Sequence, residues 1–99
     1  MNMQAIMAKA QKMQRDITKK KEEIDKKSFE GKSEWVTVIF NGKRELLSLK
    51  ITKEGIVDED DKEVLEDMLN IAIKDAFSKI DKETEEQLGS YSSALNGFF

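Results

Sequence analysis

The chain has 99 residues, no cysteine and no histidine, and a formal charge of −3 with a pI near 5.1. These totals fit a single domain. They exclude a disulfide framework, thiolate chemistry and the usual zinc ligands and general bases. No apolar run approaches the ~20 residues of a membrane span, and the polar N-terminus is unlike a signal peptide, so a soluble cytoplasmic protein is expected.

The first element is a long helix over residues 1–27. Its apolar residues Met3, Ile6, Ala10, Met13, Ile17 and Ile24 follow heptad spacing, with Lys20 at the skipped position. No Gly or Pro interrupts the run, and its Gln, Lys, Glu, Ala and Met residues are good helix formers. So narrow a seam predicts a helix that projects from a small body and meets another helix. Oppositely charged residues four apart (Lys12–Asp16, Lys19–Glu23, Glu22–Lys26) are expected to support it. Lys12, Arg15, Lys19 and Lys26 lie opposite the seam as a basic stripe interrupted only by Glu22.

A sheet is predicted over residues 28–51. Residues 28–34 read as a short edge strand turning at Gly31–Ser33. EWVTVIF (34–40) and RELLSLKI (44–51) read as strands joined by an Asn41-Gly42 hairpin, because both turn residues tolerate positive φ. A two- or four-residue turn puts Val36, Val38, Phe40, Leu47, Leu49 and Ile51 on one apolar face. Trp35, Thr37, Ile39 and Leu46 share the other face with Ser48 and Lys50. That face is too apolar for water and too polar for a deep core, and a partner subunit is its expected cover.

The second helix is predicted from about residue 58 to 88. Asp58 to Asp61 suit a helix start, and Asp60 with Glu63 has capping-box spacing. The run is not a calcium loop, because Lys62 stands where an oxygen ligand is needed. Val64, Leu65, Met68, Leu69, Ala72, Ile73, Ala76, Phe77 and Ile80 form a broad apolar face to cover the sheet. Beyond Ile80 the helix is expected to become an arm, with Leu88 and Tyr91 against the Met3–Met13 end of the first helix. Residues 89–99 read as a flexible tail.

Charge separates along the chain. Residues 1–27 carry eight basic and four acidic side chains, residues 28–53 five and three, and residues 54–99 four and thirteen. Local field outweighs net charge for a polyanion partner, so the basic half remains a candidate for nucleic acid. The five glycines at 31, 42, 55, 89 and 97 are too scattered for a phosphate loop, and no nucleophile–base pair is available. The chain is therefore expected to be a binding protein, not an enzyme, with no cofactor, metal or small-molecule substrate.

The helix AKAQKMQRDI, the hairpin VTVIFNGKRELLSLKI and the helix DDKEVLEDMLNIAIKDA together resemble the YbaB/EbfC family of bacterial nucleoid-associated proteins, over about residues 5–80. The most specific parts are Asn41-Gly42 within its alternating strands, and Asp61 to Asp67 followed by Asp75-Ala76. The resemblance implies an α+β fold of α-β-β-β-α order and a tweezer-like homodimer with helical arms. It implies non-enzymatic binding of double-stranded DNA, with little sequence preference, at the nucleoid in the cytoplasm. It supplies no set of DNA-contacting residues. From the charge pattern the candidates are Lys9, Lys12, Arg15, Lys19 and Lys26, with Lys43 and Arg44 at the hairpin tip. Trp35, Thr37, Ile39 and Leu46 are the candidate dimer interface. No aromatics interleave with the basic residues, so stacking on single strands is not expected. The competing reading is a helical adaptor that binds another protein and no DNA; the low pI favours it.

Overall fold

The computed structural model describes residues 2–55 and 57–91. Helix α1 runs from Met3 to Lys26, and Asn2 caps it by accepting the Gln4 N–H at 2.9 Å. Residues 3–15 are all exposed, whereas Ile17 and Ile24 are buried. The chain is accordingly elongated, 69 × 19 × 16 Å. The first half of α1 projects and only its second half joins the core, as the thin seam required.

Three antiparallel strands follow in the order β1 (Ser28–Lys32), β2 (Val36–Asn41) and β3 (Leu46–Ile51). Gly31 is not a turn residue. It is buried inside β1, paired with Val38, and a Cβ there would lie 2.0 Å from the Ala72 carbonyl oxygen. The edge strand needs a residue without a side chain because its backbone rests directly on the following helix. The turn falls instead after Lys32, where the Ser33 N–H donates to the Val36 carbonyl at 2.9 Å.

The β2–β3 hairpin also differs from the expected Asn-Gly turn. Neither Asn41 nor Gly42 has positive φ; that conformation falls on Arg44, with φ 64°. The Asn41 N–H donates to the Glu45 carbonyl at 3.1 Å, and the Arg44 N–H donates to the Asn41 carbonyl at 3.0 Å. The loop is therefore Gly42, Lys43 and Arg44, a turn followed by one left-handed residue. Asn41 organises it through its side chain, whose Oδ1 accepts the N–H groups of Lys43 at 2.9 Å and Glu45 at 3.0 Å. Val36 and Val38 pair with Ile51 and Leu49 as the alternation predicts. A bulge then shifts the register, so Leu46 pairs with Phe40 and leaves the face assigned to it beside Ile39.

Helix α2 runs from Lys62 to Leu88, after a 3₁₀ turn at Glu59–Asp61. The capping box is Asp58 with Asp61, not Asp60 with Glu63. Asp58 Oδ1 accepts the Asp60 N–H at 3.0 Å, and Asp61 Oδ2 accepts the Asp58 N–H at 3.2 Å. Ala72, Ala76 and Ile80 are buried against Phe29, Val36, Val38 and Phe40, and the Phe77 ring meets Phe40 edge-on at 4.9 Å. α2 packs chiefly on β1 and β2. A helix ~10 Å wide spans about two strands ~4.8 Å apart, so the third stays bare. Leu49 and Ile51, expected beneath this helix, remain 43% and 49% exposed, with Leu46 and Leu47 at 51% and 56%.

Past Ile80, α2 leaves the sheet and runs antiparallel along α1. Lys27 pairs with Glu83, and Lys20 Nζ donates to the Gln87 carbonyl at 3.4 Å while lying 5.1 Å from the Tyr91 ring centre. Leu88 is buried in one cluster with Ile17 and Ile24. Leu88 and Tyr91 thus sit about two turns nearer the body than the Met3–Met13 end expected for them. Gly89–Tyr91 forms a 3₁₀ turn, so the start of the expected flexible tail is ordered structure. Its remainder, residues 92–99, lies outside the described residues.

Candidate nucleic-acid interface

The heptad seam decides which way α1 points its charge. Ile17 and Ile24 are buried and Lys20 between them reaches α2, so the seam faces α2. Lys12, Arg15, Lys19 and Lys26 lie on the opposite side of the helix, with Lys9 at its flank, and all five are exposed. From Lys12 to Lys26 the stripe is about 21 Å long at a rise of ~1.5 Å per residue. Gln11, Gln14, Thr18 and Glu22 border Arg15 and Lys19. The pairs expected along α1 do not close: among the described residues, Lys12–Asp16, Lys19–Glu23 and Glu22–Lys26 form no ion pair. Exposed pairs gain little against side-chain entropy, which leaves these ammonium groups in solvent.

The structure divides the remaining basic groups. Lys26 and Lys43 are exposed, but they share a shallow cleft with Glu22, Asp25 and Glu45. Arg44 turns back onto α2, where it pairs with Asp81 and its guanidinium carbon lies 4.8 Å from the Phe77 ring centre. Lys20 and Lys27 tie α1 to α2. The residue pattern gave no sign of Lys27's role, although Lys20 standing in an apolar seam was a signal that it needed a partner.

The four residues singled out for subunit contact are not one surface. Trp35, Thr37 and Ile39 are half-buried, with Lys53 Nζ 5.2 Å from the Trp35 ring centre, whereas Leu46 is displaced by the bulge. Leu49 and Ile51 belong with the exposed apolar residues, and Leu65, Met68, Leu69 and Ile73 of α2 are only partly covered. Bare strand and half-covered helix together leave the sheet incomplete along β3.

Two perturbed groups lie at the β1–α2 junction, away from the stripe. The Lys32 backbone N–H, at 3.0 Å, holds the Asp75 carboxyl below the ordinary aspartate range, helped by Lys79 Nζ at 3.5 Å. The Glu30 carboxylate, 2.9 Å away, pushes Lys32 upward. Among the described residues no group of His, Cys, Asp and Glu is arranged to hold a metal ion, and no helix is long and apolar enough to cross a membrane.

These features define a small α+β protein with a projecting, basic helical arm and an uncompleted sheet edge. The YbaB/EbfC DNA-binding family model matches residues 1–95, and the chain belongs to that family. It is a family of nucleoid-associated proteins, not of enzymes. A nucleoid-associated protein of Enterococcus faecalis is 41% identical over 99 residues, covering 98% of this chain and 94% of its own. One from Lactococcus lactis is 45% identical over 97 residues, covering 96% and 97%, and one from Ligilactobacillus salivarius is 39% identical over 99.

Proposed function

We propose that the protein binds double-stranded DNA as a homodimer, at the nucleoid in the cytoplasm, through phosphate contacts that carry little sequence preference. The observation behind this reading is the stripe Lys12, Arg15 and Lys19, turned away from α2 with Lys9 at the flank, on a helix that projects into solvent. Phosphate contacts position a protein on the duplex without reading bases. Lys26 and Lys43 add weaker contacts from their acidic surroundings, and Arg44 contributes only if it leaves Asp81.

The second copy covers β3. Leu46, Leu47, Leu49 and Ile51 are about half exposed on an edge strand, which offers both apolar surface and open backbone groups. Trp35, Thr37 and Ile39 flank that contact. Pairing two copies there completes the core and presents two basic arms.

The test is fluorescence anisotropy of a labelled ~30-bp duplex at several salt concentrations. Four to eight neutralised phosphates give a log–log salt slope of about −4 to −7, equal for unrelated sequences. Absence of binding at low salt removes the DNA reading and leaves a protein-binding adaptor of the same fold.

A further inference from the structure

The sheet has two edge strands, and α2 treats them differently. It leaves β3 bare and lies directly on β1, where a Cβ at Gly31 would come within 2.7 Å of the Ala76 nitrogen. The Ser33 N–H donates to Val36, so Gly31 and Phe29, at alternate positions, also turn their backbone groups toward β2. Glu30 and Lys32 between them turn theirs outward, to the edge. Two side chains of α2 take up these groups. Asp75 Oδ2 accepts the Lys32 N–H at 3.0 Å, and Lys79 Nζ donates to the Glu30 carbonyl at 2.6 Å. Asp75 and Lys79 stand one helical turn apart and meet at 3.5 Å.

We propose that Asp75 and Lys79 close the β1 edge against strand addition by further copies of this chain. The size of the resulting assembly rests on the β3 reading; the closed edge does not. Two copies joined along β3 expose a β1 edge at each end, and pairing through open edges would run on from copy to copy without closing. The Glu30 carbonyl and Lys32 N–H are the acceptor and donor that an added strand needs. To reach them it must displace an ammonium and a carboxylate, whose hydrogen bonds are of the stronger, charge-assisted kind. The closure also gives a use to Asp75-Ala76, which belongs to neither the basic stripe nor the β3 face. Small Ala76 admits the Gly31 backbone, and Asp75 beside it then reaches the strand edge.

The test is sedimentation velocity of the full chain, without DNA, over a range of concentrations. The parent is expected to stop at one mass. Asp75→Ala/Lys79→Ala is expected to exceed that mass two-fold or more, rising with concentration. Asp75→Asn/Lys79→Arg keeps an acceptor and a donor and should stay at the parent mass. Lys79→Ala alone removes an exposed side chain, leaves the core intact and should show the same growth at higher concentration. Parent mass in both alanine variants overturns the proposal, as does open-ended growth of the parent or equal growth of the Asn/Arg variant. The β3 reading is judged separately by Leu49→Asp. If that variant is a monomer, adding Asp75→Ala/Lys79→Ala to it should restore pairing, now through β1, and a persistent monomer counts against the closed edge. If Leu49→Asp still pairs, the β3 reading falls and the growth of the alanine variants still decides the closure.

Discussion

Replacing Gly42 with alanine is expected to unseat the arm from the body. A Cβ at Gly42 would lie 2.1 Å from the Ile24 carbonyl oxygen, 2.5 Å from its carbon and 2.8 Å from Asp25 Cα. These are backbone atoms of α1's last turns, so no side-chain rotation relieves the clash. Carbon atoms settle at about 3.5–4.0 Å, which requires the hairpin to back away by roughly 1 Å. The hairpin also carries Phe40 in the core and Arg44 against Asp81, so the movement disturbs both. Overpacking of this kind costs about 1–3 kcal/mol, and a backbone obstacle puts Gly42→Ala at the upper end. For a domain near 100 residues each kcal/mol lowers Tm by about 4–8 °C, so thermal unfolding followed by circular dichroism should show a loss above about 8 °C. A second substitution separates close approach from turn geometry. Asparagine tolerates positive φ, yet Gly42 does not have positive φ, so Gly42→Asn should do as much damage as Gly42→Ala. A Tm within 2 °C of the parent for Ala, or clear rescue by Asn, refutes the argument.

Removing Lys12, Arg15 and Lys19 together should flatten the salt slope by up to about 5 per dimer, at 0.9 per lost phosphate contact, with the circular dichroism spectrum unchanged, while Lys26→Ala alone changes it little. Leu49→Asp puts a charge on the open strand face and should turn the protein into a monomer in sedimentation equilibrium; a persistent dimer would move the interface elsewhere. Asp58→Ala deletes the cap on the Asp60 N–H and should cost about 1 kcal/mol in urea unfolding. Asp75 has its pKa lowered in the folded state, so its contribution to stability is complete above the ordinary aspartate range and is lost as pH falls through the lowered value. Its carboxyl resonance should therefore titrate below that range, and a midpoint within it would show that the Lys32 N–H contact is not kept in solution.

Periodic features were legible in the sequence, and features that depend on a distant neighbour were not. The α1 seam follows from spacing alone, and Ile17 and Ile24 are buried where it places them. The alternation of β2 is likewise reproduced, with Val36, Val38 and Phe40 inside. Gly31 and Gly42 were read as turn residues because turns are glycine's commonest local use. Gly42 does lie in the turn, without the positive φ expected of it, and Gly31 does not; each is required by a backbone passing over it, α2 at Ala72 and α1 at Ile24, and nothing nearby in the sequence records that contact. Asp58 to Asp61 form an acidic run in which several residues can cap, so local spacing could not choose Asp58. The offset of α2 along α1 depends on Lys20 and Lys27 finding their partners, which a heptad count leaves open. The stripe was legible because helical geometry puts it opposite the seam. The two-strand reach of α2, which leaves Leu49 and Ile51 bare, follows from layer dimensions and not from residue type.

An acidic chain can present a basic surface if most of its acids are either far from that surface or already engaged; four acids, Asp16, Glu22, Glu23 and Asp25, stand on α1 itself, and the largest acidic groups elsewhere meet one condition or the other. Asp58, Glu59, Asp60 and Asp61 precede α2 at the sheet end of that helix, whereas Lys9, Lys12 and Arg15 project beyond its other end. Over a 69 Å molecule that separation amounts to several screening lengths, each about 10 Å at 0.1 M salt. Nearer the arm, Glu83 is taken up by Lys27 and Asp81 by Arg44, neither of them in the stripe. The acids at the arm's base thus neutralise the cations that hold the arm in place. Among the described residues, Lys9, Lys12, Arg15 and Lys19 make no such pair, and all four are exposed. On the proposed reading, the field that a phosphate backbone meets is that of the arm, and the same division of charge keeps the acidic end of the molecule away from it.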